Sequence, residues 1–169
     1  MRRGVLLYSC FMASHLKDFF HMADQVLEHL ALAKGSHPDM PGIVCLTGEL
    51  GAGKTTLVQH MAARLGIKEI VHSPTFPIRT SYDIPQHIHK LSTHFSQLIH
   101  IDAYRIETLE EAKVIKIDQG MRNPGHIICV EWPEHIEPLI PKERITVSLS
   151  HVEGQEDMRE IIIRNSYNR

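Results

Sequence analysis

Residues 16–33, LKDFFHMADQVLEHLALA, carry apolar side chains at helical spacing and predict an amphipathic helix, closed by the turn-forming GSHPDMPG. GIVCLTG then reads as a short apolar strand. TTLVQHMAARLGI returns to helical spacing at Leu57, Val58, Met61 and Leu65, with Gly66 as its stop. EIVHSPTFPIRTSYD is β-rich but broken by Pro74 and Pro77, and a histidine-rich stretch runs from Ile84 to Gln97. Next come the strand LIHIDAYR, the helix TLEEAKVIK, the strand HIICVEW and a short helix after Pro133. RITVSLS and REIIIRN close the chain as a hairpin. Strands alternating with helices early and pairing directly late predict an α/β protein. The expected form is a three-layer domain with a mixed, mostly parallel central sheet and a C-terminal antiparallel hairpin.

No linker or internal repeat divides the 169 residues, so a single domain over 1–169 is expected. The opening MRRGVLLYSCFMASH imitates a secretion signal, yet its apolar core is too short for one. Residues 1–11 read instead as a disordered or mis-annotated extension, with Met12 as an alternative start. Three cysteines without metal spacing, two of them inside apolar runs, point to a reducing compartment and a cytoplasmic location. No apolar run is long enough to span a membrane. A formal net charge of −2 argues against a protein that grips nucleic acid mainly through its own phosphate contacts.

GELGAGKTT, residues 48–56, has the P-loop spacing, with Gly48, Gly53, Lys54 and Thr55 as its fixed positions. Gly48, Gly51 and Gly53 allow positive φ, so that successive N–H groups turn toward phosphate oxygens. Lys54 suits the β and γ phosphates, and Thr55 offers a hydroxyl to Mg²⁺. The helix that follows sets its positive end against the anion. Glu49, Leu50, Gly51, Ala52, Gly53, Lys54, Thr55 and Thr56 are therefore the expected cradle for nucleotide phosphates with Mg²⁺. Such a site also needs an acid at the end of a buried strand. LIHID ends in Asp102 and HIICVE in Glu131, and both are candidates.

GELGAGKTT, SPTF at 73–76, HIDAYR at 100–105 and VEWPE at 130–134 stand in the order and roughly the spacing of the TsaE family, which the chain resembles. The resemblance implies a small P-loop ATPase, holding ATP or ADP with Mg²⁺ in that cradle and supporting threonylcarbamoyl modification of adenosine 37 in tRNAs that read ANN codons. In that family the transfer is done by TsaD, partnered by TsaB, and the ATPase meets tRNA only through their complex. Carried over, it makes Thr55 and Glu131 the magnesium site and Thr75 a switch threonine near the γ-phosphate. Asp102 falls close to the metal or the attacking water, with Tyr104 and Arg105 beside it. Asp102, Glu131 and Thr75 are thus the expected catalytic residues.

Three departures stand out. DFFHMA puts Phe19 or Phe20 where the family usually has a threonine near adenine. Lys116 occupies the place of a common glycine. The segment between SPTF and HIDAYR is longer than usual and carries His87, His89 and His94.

An Asn-Lys-x-Asp motif is absent, which disfavours a GTPase, and no arginine cluster suggests the lid of a small-molecule kinase. A regulatory subunit that binds nucleotide without significant turnover is the main alternative. No residue is marked as an arginine finger, so slow, partner-stimulated hydrolysis is expected.

Overall fold

The computed structural model describes residues 7–13 and 16–167. Its strands are β1 (Leu7–Ala13), β2 (Gly42–Thr47), β3 (Arg79–Asp83), β4 (Gln97–Asp102), β5 (His126–Glu131), β6 (Ile145–Val152) and β7 (Gln155–Asn165). The helices are α1 (Leu16–Ser36), α2 (Lys54–Arg64), α3 (Leu109–Val114) and α4 (Ile117–Gly120). One seven-stranded sheet runs in the order β1-β7-β6-β2-β5-β4-β3. Its core, β6-β2-β5-β4, is parallel; β3 closes one side antiparallel, and β7 with β1 closes the other.

Strand alternation divides the interior into two layers. Val44, Leu46, Leu98, Ile127 and Cys129 face one way, against Val26, Leu27 and Leu30 of α1 and Leu57, Val58 and Met61 of α2. Ile43, Cys45, Ile99, Ile101, Ile128 and Val130 face the other, against Ala112, Ile117 and Met121. Burying each such aliphatic side chain contributes roughly 1.5–3 kcal/mol, which secures the helices to their faces. This parity has a functional result. Asp102 and Glu131 are register partners at the carboxyl ends of β4 and β5, on the α2 side of the sheet.

Several expectations are corrected in detail. Leu7–Phe11 is not disordered, because β1 pairs with β7 from Leu7 opposite Asn165 to Ala13 opposite Arg159; residues 1–6 lie outside the described residues. The β-rich reading of EIVHSPTFPIRTSYD holds only for Arg79–Asp83. Pro74 and Pro77 remove ladder donors, and Ile78 takes a φ of 72° that no regular strand accommodates. The helix expected over TLEEAKVIK stops at Val114, and the chain turns at Lys116, whose φ is 57°. After Pro133 the short helix is a pair of 3₁₀ turns, Pro133–His135 and Glu137–Leu139. The histidine-rich segment forms a 3₁₀ turn, Lys90–Thr93, that buries Leu91 and Phe95 in the layer beneath α1.

Candidate functional site

The loop between β2 and α2 has the backbone its glycines predict, with φ of 138° at Gly48, 77° at Gly51 and 104° at Gly53. Side chains are excluded at both ends of it. A Cβ on Gly48 would collide with the Leu149 carbonyl oxygen, and one on Gly53 would lie 2.7 Å from the Phe19 ring. No side chain caps the start of α2, so its first N–H groups remain directed at whatever occupies the loop.

Lys54 is 5% exposed and folds back over that loop. Its Nζ donates to the carbonyls of Gly48 at 2.7 Å and Glu49 at 2.9 Å, and lies 4.0 Å from the centre of the Trp132 ring. Burial lowers its pKa from the ordinary lysine value, opposed by the carboxylates of Glu131, Asp102 and Glu134. Thr55 Oγ1 donates to Glu131 Oε1 over 2.8 Å, and the same oxygen accepts from His100 Nε2, also at 2.8 Å. Asp102 is held differently. Its Oδ2 accepts from Thr75 Oγ1 at 3.0 Å and Ser73 Oγ at 3.1 Å, while Oδ1 accepts from the Tyr104 amide at 3.1 Å.

These groups enclose a cleft of about 350 Å³ at the carboxyl edge of the parallel strands, where folds of this kind bind ligands. Leu50, Gly51, Gly53, Lys54, Thr55 and Thr56 form its loop side. Glu49 and Ala52 do not line it. Glu49 takes part through its carbonyl to Lys54, and Ala52 is fully buried in the core. Thr75, Asp102 and Glu131 all reach the cleft from the opposite side, joined by Ser73, Tyr104, Arg105 and Trp132. The Arg105 guanidinium stacks 3.9 Å from the Phe76 ring, and the Tyr104 and Trp132 rings lie 5.0 Å apart.

Of the two phenylalanines in DFFHMA, Phe19 is the one against the loop. Phe20 packs instead on His60 at 4.1 Å, with Arg64 5.1 Å above it. Two participants escape sequence reasoning. Ser73 shares Asp102 with Thr75, and His100 reaches Glu131. The signal for His100 was its position two residues before Asp102, which puts both on one strand face.

The cleft presents a hydroxyl and a buried carboxylate within 2.8 Å of each other, a hard oxygen set suited to Mg²⁺, and an ammonium with open amides suited to an anion. Fold and cleft together define a three-layer α/β protein built around a strand–glycine loop–helix unit. The chain belongs to the TsaE family: the family model described as "Threonylcarbamoyl adenosine biosynthesis protein TsaE" matches residues 15–161.

Among relatives named tRNA threonylcarbamoyladenosine biosynthesis protein TsaE, one from Bacillus subtilis is 35% identical over 133 residues, or 76% of this chain and 73% of the relative. Another, from Aquifex aeolicus, is 34% identical over 124 residues, 72% of this chain and 74% of its own length. A Synechocystis relative is 39% identical over 103 residues, 60% of this chain and 59% of the relative. The crystal structure of YdiB from Bacillus subtilis has the same fold, with a TM-score of 0.63 at 24% identity, covering 97% of this chain and 89% of that one. No helix among the described residues is long and apolar enough to cross a membrane.

Proposed function

We propose that this protein is a slow, Mg²⁺-dependent ATPase of the cytoplasm that supports threonylcarbamoyl transfer to adenosine 37 of ANN-decoding tRNAs. It acts through a complex with TsaD and TsaB and meets tRNA only through that complex. The observation that carries this reading is the meeting of Thr55 and Glu131 opposite Lys54 in one cleft. Thr55 and Glu131 would hold Mg²⁺, which when bound neutralises phosphate charge.

The chain's own groups supply the rest. Lys54 trades two neutral carbonyl partners for charged phosphate oxygens, a stronger pairing. Asp102, 5% exposed and fixed by three donors, would orient a water. Thr75 leaves Asp102 to meet the γ-phosphate, ordering the 73–76 loop, and returns after hydrolysis. The surface offered to a partner changes with it. Arg105, the arginine at the cleft, is engaged on Phe76, which favours hydrolysis that waits for a partner to complete the site.

Reconstitution tests the proposal. ATP hydrolysis by the purified chain should rise on addition of TsaD and TsaB from the same organism, and repeated rounds of tRNA modification should require both this chain and hydrolysable ATP. Unchanged turnover when the chain is omitted would refute the modification role. Phosphorylation of a metabolite by the chain alone would replace it with a kinase.

A further inference from the structure

His100 is fully buried on β4, with Cys129 of β5 and Thr80 of β3 as its register partners. An ionised carboxylate only accepts hydrogen bonds, so the 2.8 Å contact with Glu131 places the proton on His100 Nε2. The opposite ring nitrogen, Nδ1, is buried without any partner. In a purely structural role this is a poor arrangement. An unsatisfied buried polar atom is destabilising, and an apolar side chain of similar shape would serve the core as well. What the imidazole adds is a fixed donor on the oxygen that Thr55 also contacts.

Glu131 therefore has two donors on one oxygen. The Thr55 hydroxyl carries lone pairs that would also serve a cation, whereas His100 has no part in the cleft lining and acts on Glu131 alone, from within the sheet. We infer that His100 is a positioning residue: its Nε2–H holds the Glu131 carboxylate in the orientation that serves the Mg²⁺ of the nucleotide complex. This rests on the reading above that Thr55 and Glu131 hold the cation. Donors of this kind, placed behind a metal-holding group, typically change metal affinity by about 10- to 100-fold when removed.

The test uses the full chain and a non-hydrolysable ATP analogue, with binding followed by calorimetry at a series of Mg²⁺ concentrations and again in EDTA. His100→Leu should raise the Mg²⁺ concentration for half-maximal binding by about tenfold or more, while affinity in EDTA stays at the wild-type value. His100→Gln, whose amide nitrogen falls where Nε2 was, should restore most of the Mg²⁺ response. His100→Asn, whose amide falls nearer Nδ1, should not, and it serves as the loss variant if His100→Leu fails to fold.

Equal Mg²⁺ responses in wild type and loss variant would overturn the inference. So would an equal fall in affinity with and without Mg²⁺, which marks a structural role. If the wild type binds the analogue with no Mg²⁺ dependence, the cation reading itself has failed and the inference with it. That outcome is distinct from a wild type that responds to Mg²⁺ beside variants that respond equally.

Discussion

Lys54 Nζ lies 4.0 Å from the centre of the Trp132 ring, so the ammonium is held between an aromatic face and two backbone carbonyls. Trp132 is kept there by an unusual backbone, with φ of 57° and its amide donating to the Leu46 carbonyl at 3.3 Å. Withdrawal of the ammonium toward phosphate would change the field at the indole. Trp132, the protein's one tryptophan, should thus change its fluorescence when Mg-nucleotide binds. Lys54→Ala should abolish that response and weaken nucleotide binding at least tenfold, about 1.4 kcal/mol. Calorimetry giving equal affinities would remove Lys54 from the site.

Asp102 and Glu131 are register neighbours whose partners divide their roles. Glu131 answers to Thr55, and Asp102 to the 73–76 loop. Glu131→Gln should therefore reduce Mg²⁺-dependent nucleotide binding, while Asp102→Asn should leave binding near normal and depress hydrolysis. Paired titrations and single-turnover assays check this. The reverse pattern would exchange the two assignments.

Lys116 occupies a left-handed conformation, φ 57° and ψ 37°, between α3 and α4. For a residue with a Cβ this costs roughly 1–2 kcal/mol. Glycine removes the strain but adds freedom to the unfolded chain, which returns about 0.5–1 kcal/mol of the gain. Lys116→Gly should accordingly raise the melting temperature slightly, and Lys116→Val should lower it. Thermal denaturation reads both, and a lower melting temperature for the glycine variant would contradict the strain.

Burial holds His29, His60, His89 and His126 below the ordinary histidine range, with Glu28 opposing the shift at His29 and Arg64 adding to it at His60. Unfolding raises each of these values back toward about 6.5. The unfolded chain therefore takes up protons first as pH falls, and the associated stability is full above that value and is lost on the way down through the folded pKa values. Melting temperature should fall between pH 7.5 and 5.5. His29→Leu, on the buried face of α1, should flatten the dependence. A constant melting temperature over this range would count against the assignment.

The glycine loop was legible because its information is local: three glycines at fixed spacing state where φ must be positive, and φ is positive at all three. Asp102 and Glu131 were legible because parallel strands ending in acids align those acids along one edge. Reading failed where a neighbour distant in sequence decides. Most of β1 looked like part of a disordered stretch because its partner strand is the distant Gln155–Asn165. The 73–76 loop looked β-rich because its anchor, Asp102, is 27 residues beyond Thr75. His100 drew no functional reading, since the bond that explains it crosses 31 residues to Glu131.

The place of β1 in the sheet bears on how the chain is made. It is the first of the described strands to be synthesised, and its sole neighbour in the sheet, β7, is the last. Cys10 and Glu160, which meet across that pair, are separated by 150 residues. At ribosomal speeds of about 5–20 residues per second, roughly 8–30 s separate their emergence. The parallel core also stays incomplete until β6 arrives to flank β2. Throughout that interval an apolar N-terminal segment has no sheet to join, and nascent chains stalled before residue 155 should hold it accessible to chaperones.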